Sequence, residues 1–233
     1  GFVHGLRLRG GLGKNGPQGL YKQVQHRAPL AEPLLRFYRW TPGPAVTFGY
    51  AQFYDFVRRG VPAQAGPLCR RPTGGGLVLH GEDLTFSVLF ASTQPRPKEI
   101  YARLHAAIEA ALDRCGVLHA HRQGAVPKQA YWPQSGGSAS GCFVNPVQDD
   151  LLCGDQKILG GALRRFGRQV LYQGSLQCAQ ARENPLFAQA VAAGLAEALQ
   201  TPWEETAVPA AVLAAARQLA HAQYATPAWN EKF

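Results

Sequence analysis

An α+β domain, with helices packed onto a sheet instead of wound through it, is the fold class this sequence predicts. Three features point there. Short β-like runs parted by Pro and Gly clusters fill residues 31–90, an amphipathic helical stretch opens at Pro97, and two further helical stretches come last. With 233 residues, 46% of them hydrophobic, the chain can build a substantial core, and disorder is excluded as its dominant state. Residues 1–30 are Gly- and Arg-rich with weak periodicity and are expected to form an arm or part of a first strand, with residues 31–233 as a single domain. No apolar run approaches the roughly 18 residues of a membrane helix, and the first thirty lack the apolar core of a secretory signal. A cytoplasmic protein without a membrane span is the expectation.

Each element has a local reason. Leu35 to Trp40, Ala45 to Ala51, Leu68 to Arg71, Leu77 to His80 and Asp83 to Phe90 read as strands. The last alternates Leu84, Phe86 and Val88 with Thr85 and Ser87, the pattern of a half-buried strand. The helix that follows has Pro97 in its first turn, Ile100, Leu104, Ala107, Ile108, Ala111 and Leu112 on one face, and Gly116 just past its end. From Gly124 to Gly141 runs a Gly/Ser/Pro/Gln loop carrying Tyr131 and Trp132, long enough to serve as a substrate lid. Leu151 to Cys153, Lys157 to Ala162 and Gln169 to Gln177 are further strands, with Gly154-Asp155 as a hairpin turn. Helices are expected from Asn184-Pro185 to Leu199 and from Ala210 to Tyr224.

Charge and cysteine usage narrow the chemistry. Lys and Arg number 24 against 15 Asp and Glu, a formal net charge of +9, so the surface favours acidic partners and loses that attraction as salt rises. No basic run interleaves with aromatics as a nucleic-acid stripe would, and no nucleic-acid partner is expected. Five cysteines, none in a CxxC pair, read as reduced thiols. The seven histidines are scattered, with no acidic partner at ligand spacing, so no metal site is expected; nor does a Gly-x-Ser-x-Gly elbow occur.

Two segments and one cysteine carry candidate chemistry. Arg70-Arg71-Pro72-Thr73-Gly74-Gly75-Gly76, ending at His80, lies between two strands. Three glycines let the backbone approach an anion closely while two guanidiniums neutralise it; a Gly-rich hairpin turn with solvated arginines has the same composition. Lys157, one of six lysines, sits in the apolar Gln156-Lys157-Ile158-Leu159-Gly160-Gly161-Ala162 stretch, either snorkelling to the surface or pointing into a site as a cation. Cys142 follows Ser138-Ala139-Ser140-Gly141 at the end of the long loop, where a nearby cation would make its thiol a nucleophile. Cys69, Cys153 and Cys178 in strand-like runs and Cys115 at a helix end read as packing.

Together these segments resemble the family of lipoate-protein ligases, octanoyltransferases and biotin ligases. The Arg70 to His80 stretch is similar to that family's Arg-Arg-x-Ser/Thr-Gly-Gly-Gly-x-x-x-His signature, and Val46 to Gln52 to its strand ending in Gly-x-x-Gln. Asp149-Asp150-Leu151 through Lys157, Gly160, Ala162 and Arg164-Arg165, then Gln173-Gly174-Ser175-Leu176, resemble its later blocks, with Leu163 where the family often has Gln and Gln173 where it often has His. The resemblance implies a mixed β-sheet flanked by helices with the acyl chain in a tunnel. It implies substrate-binding roles for Arg70, Arg71, Thr73, Gly74, Gly75, Gly76, His80, Gly160, Gly161 and Ala162, and catalytic roles for Lys157 and Cys142. The implied reaction moves an octanoyl or lipoyl group from an acidic acyl carrier protein to a lysine of a lipoyl-domain or glycine-cleavage-type carrier, through a Cys142 thioester. That transfer needs no cofactor. An ATP- and Mg-dependent lipoate ligase and a non-catalytic acyl-binding relative share the same fold.

Overall fold

The structure, a computed structural model, describes residues 32–40, 44–126, 146–178 and 180–233. The expected arm over 1–30, most of the Gly124 to Gly141 loop with Tyr131 and Trp132, and Cys142 lie outside the described residues.

Nine strands and five α-helices follow one another among the described residues: β1 (Leu34–Tyr38), β2 (Ala45–Phe48), α1 (Tyr54–Gly60), β3 (Leu68–Arg70), β4 (Val78–His80), β5 (Leu84–Ala91), α2 (Pro97–Arg114), β6 (His121–Arg122), β7 (Leu151–Cys153), β8 (Gln156–Phe166), β9 (Gln169–Leu176), α3 (Pro185–Leu199), α4 (Ala210–Leu219) and α5 (Pro227–Asn230). A π-helical turn, Ala220–Tyr224, extends α4 to the residue at which the sequence pattern ends. Gly154 and Gly167 each take the first place of a two-residue turn with positive φ (57° and 63°), which matches the right-handed twist of the hairpins β7–β8 and β8–β9.

The strands form two sheets. Six of them, in the order β1-β5-β9-β8-β7-β6, pair antiparallel throughout, and β3-β2-β4 make a small mixed sheet in which β2 and β3 run parallel. Alternation decides what each face of the large sheet meets. Leu35, Phe37, Phe86, Val88, Phe90, Val170 and Tyr172 bury against α2 and α3 in one core. The alternate residues Thr85, Gln173 and Ser175 face the small sheet instead, where they line a cavity. Asn184 caps α3 by accepting from Leu186 N, and Pro185 takes the first helical position, where its missing N–H costs nothing. A Cβ on Gly194 would come within 2.6 Å of Ala107 O, so only glycine lets α2 and α3 cross this closely.

The small sheet has its own core of Val46, Phe48, Val57 and Leu77, closed by α1. No helix among the described residues is long and apolar enough to cross a membrane.

Candidate active site

A cavity of about 440 Å³, counted with its open mouth, lies between the two sheets. Its wall is built from Thr47 of β2, Arg71 just after β3, Val78 and His80 of β4, Trp40 and Tyr38 at the end of β1, and Thr85 of β5. Gly160, Gly161 and Ala162 of β8 with Gln173, Gly174 and Ser175 of β9 form its floor. Small residues and bare backbone on that floor leave the space open. Gly161 and Gly174 pair across the two strands, and a Cβ on either would strike Tyr172 or Phe86 from the core side at 2.3–2.5 Å.

The two neighbouring arginines part company. Arg71 lines the cavity and donates to Thr47 Oγ1 (2.7 Å), Gly74 O (2.9 Å) and Gly76 O (2.8 Å), drawing the glycine loop, which lies beside the lining and not in it, into an arch. Arg70 is 1% exposed, lies outside the cavity wall, and donates to Tyr50 O, Gln52 O, Trp229 O and Asn230 O. Consecutive residues leaving a strand point to opposite sides, so one guanidinium serves the cavity and the other the small sheet's outer edge. Burial also pushes the Arg70 guanidinium below its ordinary range. Thr73 is buried and donates to Gln173 Oε1 at 2.8 Å, tying the loop to β9. Gly75 takes φ +88°, and its carbonyl passes 2.0 Å from where a Gly49 Cβ would stand, so the loop rests directly on the end of β2. Gly74 and Gly76 lie on the same arch.

His80 is buried in the cavity wall and stacked on Trp40, with ring centroids 4.4 Å apart. Its Nδ1 lies 2.8 Å from Asp83 Oδ2, and its Nε2 lies 2.8 Å from Thr47 Oγ1. An ionised Asp83 only accepts, which assigns the Nδ1 proton to that bond. Arg71 donates into Thr47 Oγ1, leaving the hydroxyl's own proton for His80 Nε2. Burial pushes the Asp83 carboxyl up, but the hydrogen bonds it accepts from His80, Ser175 and Thr85 outweigh that and bring it below its ordinary value.

Lys157 does not snorkel. Its ammonium is buried, 2.7 Å from Asp150 Oδ2, and Asp150 also accepts from Tyr101 OH (2.5 Å) and Val147 N (2.6 Å). The register explains how a lysine reaches this place. Leu152 pairs with Lys157 but Leu151 pairs with Leu159, so Ile158 is an extra residue in β8. That insertion reverses the alternation and puts Lys157 on the face of Gly160 and Ala162. A Cβ on Gly160 would lie 2.5 Å from Lys157 Cε. Absence of that Cβ is therefore what lets the ammonium lie against the cavity floor.

Behind the floor lie residues the sequence reading did not single out. Tyr101 OH also accepts from Gly161 N at 3.0 Å, and burial, then the nearby Tyr172 and Asp150, raise that hydroxyl well above its usual range. His105 stacks on Tyr101 and bonds Tyr172 OH at 2.7 Å; burial, then the Lys157 charge, lower its pKa to about 3. On α2 these two occupy positions 101 and 105, one turn apart beside the apolar stripe, and that spacing was the available signal.

Residues 20–206 match the family described as the lipoyl protein ligase A/B catalytic domain. The chain is 32% identical over 165 residues to the octanoyltransferase LipM of Moorella thermoacetica, covering 66% of this chain and 56% of that protein. It is 33% identical over 162 residues to the octanoyltransferase LipM of Symbiobacterium thermophilum, covering 66% and 56%. The chain thus spans a little over half the length of these relatives. In fold it is similar to a lipoate-protein ligase A bound with ATP, with TM-score 0.67, 22% identity, and 90% of each chain covered. A bipartite lipoate protein ligase from Thermoplasma acidophilum superposes with TM-score 0.63 at 20% identity, covering 91% of this chain and 89% of that one. By the match over most of its length, this chain belongs to the lipoyl protein ligase A/B catalytic-domain family.

Proposed function

We propose that the chain transfers an octanoyl or lipoyl group to a lysine of a lipoyl carrier domain, through a thioester on Cys142 and with no cofactor. The observation that carries this reading is the buried Lys157 ammonium set against the glycine floor of a cavity between two sheets. The kinship with octanoyltransferases supports the same reading.

The apolar surfaces of Trp40, Val78 and Ala162 suit an acyl chain, and the buried polar wall of Thr47, Arg71 and His80 suits its carbonyl end. In the proposed first step the Cys142 thiolate attacks the donor thioester carbonyl. A new S–C bond forms, the negative charge gathers on the carbonyl oxygen, and the Lys157 ammonium with backbone N–H groups stabilises it. The donor's C–S bond then breaks and its thiolate leaves and takes up a proton. In the second step the acceptor lysine's neutral amine attacks the Cys142 thioester, an amide forms, the thiolate of Cys142 leaves, and the amine gives up one proton to solvent. Asp150 holds Lys157 in place through both steps. Arg71, Thr73, Gly74, Gly75, Gly76, His80, Gly160, Gly161 and Ala162 shape the binding site. Arg70 supports it from outside.

The donor in this reading is an acidic acyl carrier protein, drawn by the basic surface, and the reaction is cytoplasmic. The test supplies octanoyl-carrier thioester and a lipoyl domain without ATP. Octanoylation of the lipoyl domain is the expected result. Octanoylation only from free octanoate plus ATP and Mg would replace the reading with ligation.

A further inference from the structure

We infer that Trp229 and Asn230 are positioning residues for the cavity, acting through Arg70 to hold the glycine loop in its ligand-ready arch. The inference goes beyond the transfer reading, and its first readout needs no acyl chemistry.

β3 is an edge strand of the small sheet, and its last residue, Arg70, leads directly into Arg71 and the loop. An edge strand leaves its outward backbone groups in want of partners. Residues 229 and 230 supply them. Arg70 N donates to Asn230 Oδ1 at 2.8 Å, and Trp229 Nε1 donates to Arg70 O at 2.9 Å. The guanidinium answers by donating to Trp229 O (3.0 Å) and Asn230 O (2.9 Å), and its other side donates to Tyr50 O and Gln52 O at 2.7 Å each. Backbone and side chain of Arg70 are thus both held by the 229–230 segment and by the turn after β2.

That turn is the loop's other support. Tyr50 N donates to Thr73 O at 2.8 Å, and Arg71 N donates to Phe48 O at 2.9 Å. Asn230 is itself fixed, donating to Tyr224 O and Thr226 O, while the Trp229 ring packs on Tyr50 and Tyr224. From the large sheet the loop is held by Arg164 on Pro72 O and by Thr73 on Gln173. The arch is therefore gripped from two sides, and only the grip on the cavity side touches the ligand space. Release of the outer grip frees Arg70 and the end of β3, and with them Arg71, whose donations shape the arch. Whatever binds better to the arched loop must in turn tighten the 229–230 segment, because coupling free energy is reciprocal.

Two variants test this, Asn230→Ala, which removes the acceptor for Arg70 N, and Trp229→Phe, which leaves a smaller aromatic ring in place and removes the indole N–H donor to Arg70 O. Amide hydrogen exchange is followed without ligand and with octanoate as the probe. Both variants should lose about fivefold protection at residues 71–76, the scale of one hydrogen bond, with β5 and β9 unchanged. Saturating octanoate should restore that protection, and octanoate affinity should fall about fivefold. In the transfer assay KM for the acyl donor should rise while kcat holds. Unchanged exchange at 71–76 with a loosened 226–233 segment overturns the inference, as does an equal loss of protection in β5 and β9. Failure of the parent protein to bind octanoate would instead count against the transfer reading, leaving the exchange of the unliganded variants to decide the coupling.

Discussion

Lys157 Nζ lies 2.7 Å from Asp150 Oδ2 with 2% of one side chain and none of the other exposed to water. Breaking a buried pair by removing one partner strands the other charge, at about 3–5 kcal/mol. Lys157→Met and Asp150→Asn should each lower stability by that order, read from urea midpoints. The double variant, with neither charge left, should recover much of the loss. If Lys157 serves the reaction, the double variant stays inactive in transfer although stable. A stable, active double variant would reduce the pair to architecture.

Gly49 and Gly74 make a matched comparison. A Cβ on Gly49 meets Gly75 O at 2.0 Å, backbone against backbone, whereas a Cβ on Gly74 meets nothing within 4 Å. Gly49→Ala should cost about 1–3 kcal/mol and displace the glycine arch, weakening octanoate binding. Gly74→Ala should melt within about 0.5 kcal/mol of the parent. Equal melting of the two variants would mean that the loop does not rest on β2.

His105 predicts an unusual acid profile. Its folded pKa is about 3, below the ordinary 6.5, so between those values the unfolded chain takes up a proton that the folded one refuses. The associated stability is fully present above pH 6.5 and drains as pH falls, at up to about 1.4 kcal/mol per pH unit. Asp83, with its carboxyl lowered, adds a loss only at lower pH, beginning near the ordinary carboxylate value of 3.8. Denaturant titrations of His105→Gln should therefore be flatter than the parent between pH 6 and 4.5. Parallel profiles would place another group behind the acid sensitivity.

Arg70 and Arg71 are buried, so an acidic carrier cannot meet them directly. Exposed cations among the described residues include Arg58 and Arg59 of α1, which packs on the small sheet, and Lys232, whose Nζ donates to Tyr50 OH at 2.6 Å. Arg58→Glu with Arg59→Glu should raise KM for the carrier severalfold and weaken the salt dependence of transfer, leaving octanoate binding as it was. Salt-independent transfer by the parent would contradict electrostatic docking.

The fold was largely legible because its boundaries are punctuated by chemistry. Pro97, Pro185 and Gly116 mark helix ends, and the alternation through Leu84, Phe86 and Val88 marks β5. α1 was not read, since Val57 alone is buried in it while Phe53 and Phe56 beside it stay exposed, leaving no apolar stripe. The two-residue β6 and four-residue α5 are too short to carry a period. Of the residues lining the cavity, the sequence reading proposed Arg71 and His80 from the Arg/Gly-rich segment and Gly160, Gly161 and Ala162 from the family resemblance, whereas Tyr38, Trp40, Thr47, Val78 and Thr85 were not proposed. The division of labour among the proposed residues was not legible: Arg70 and Arg71 differ by one step along a strand, and the burial of Lys157 depends on a bulge at Ile158 that no sequence period announces. The contacts of Thr47 and Asp83 with His80, and of Asp150 with Lys157, arise from strand register and turns and have no local sequence signature.

The acyl-enzyme is the center of the proposed chemistry, and intact mass measurement reads it directly. Incubated with octanoyl-carrier thioester and no acceptor, the protein should gain one octanoyl group, labile to hydroxylamine and located on the peptide containing Cys142. A lipoyl domain added afterwards should remove that mass and acquire it on its lysine. Cys142→Ser should show neither, because a hydroxyl is far less acidic than a thiol. An unmodified parent that still octanoylates the lipoyl domain, or a Cys142→Ser variant that does so at the parental rate, would contradict the acyl-enzyme account.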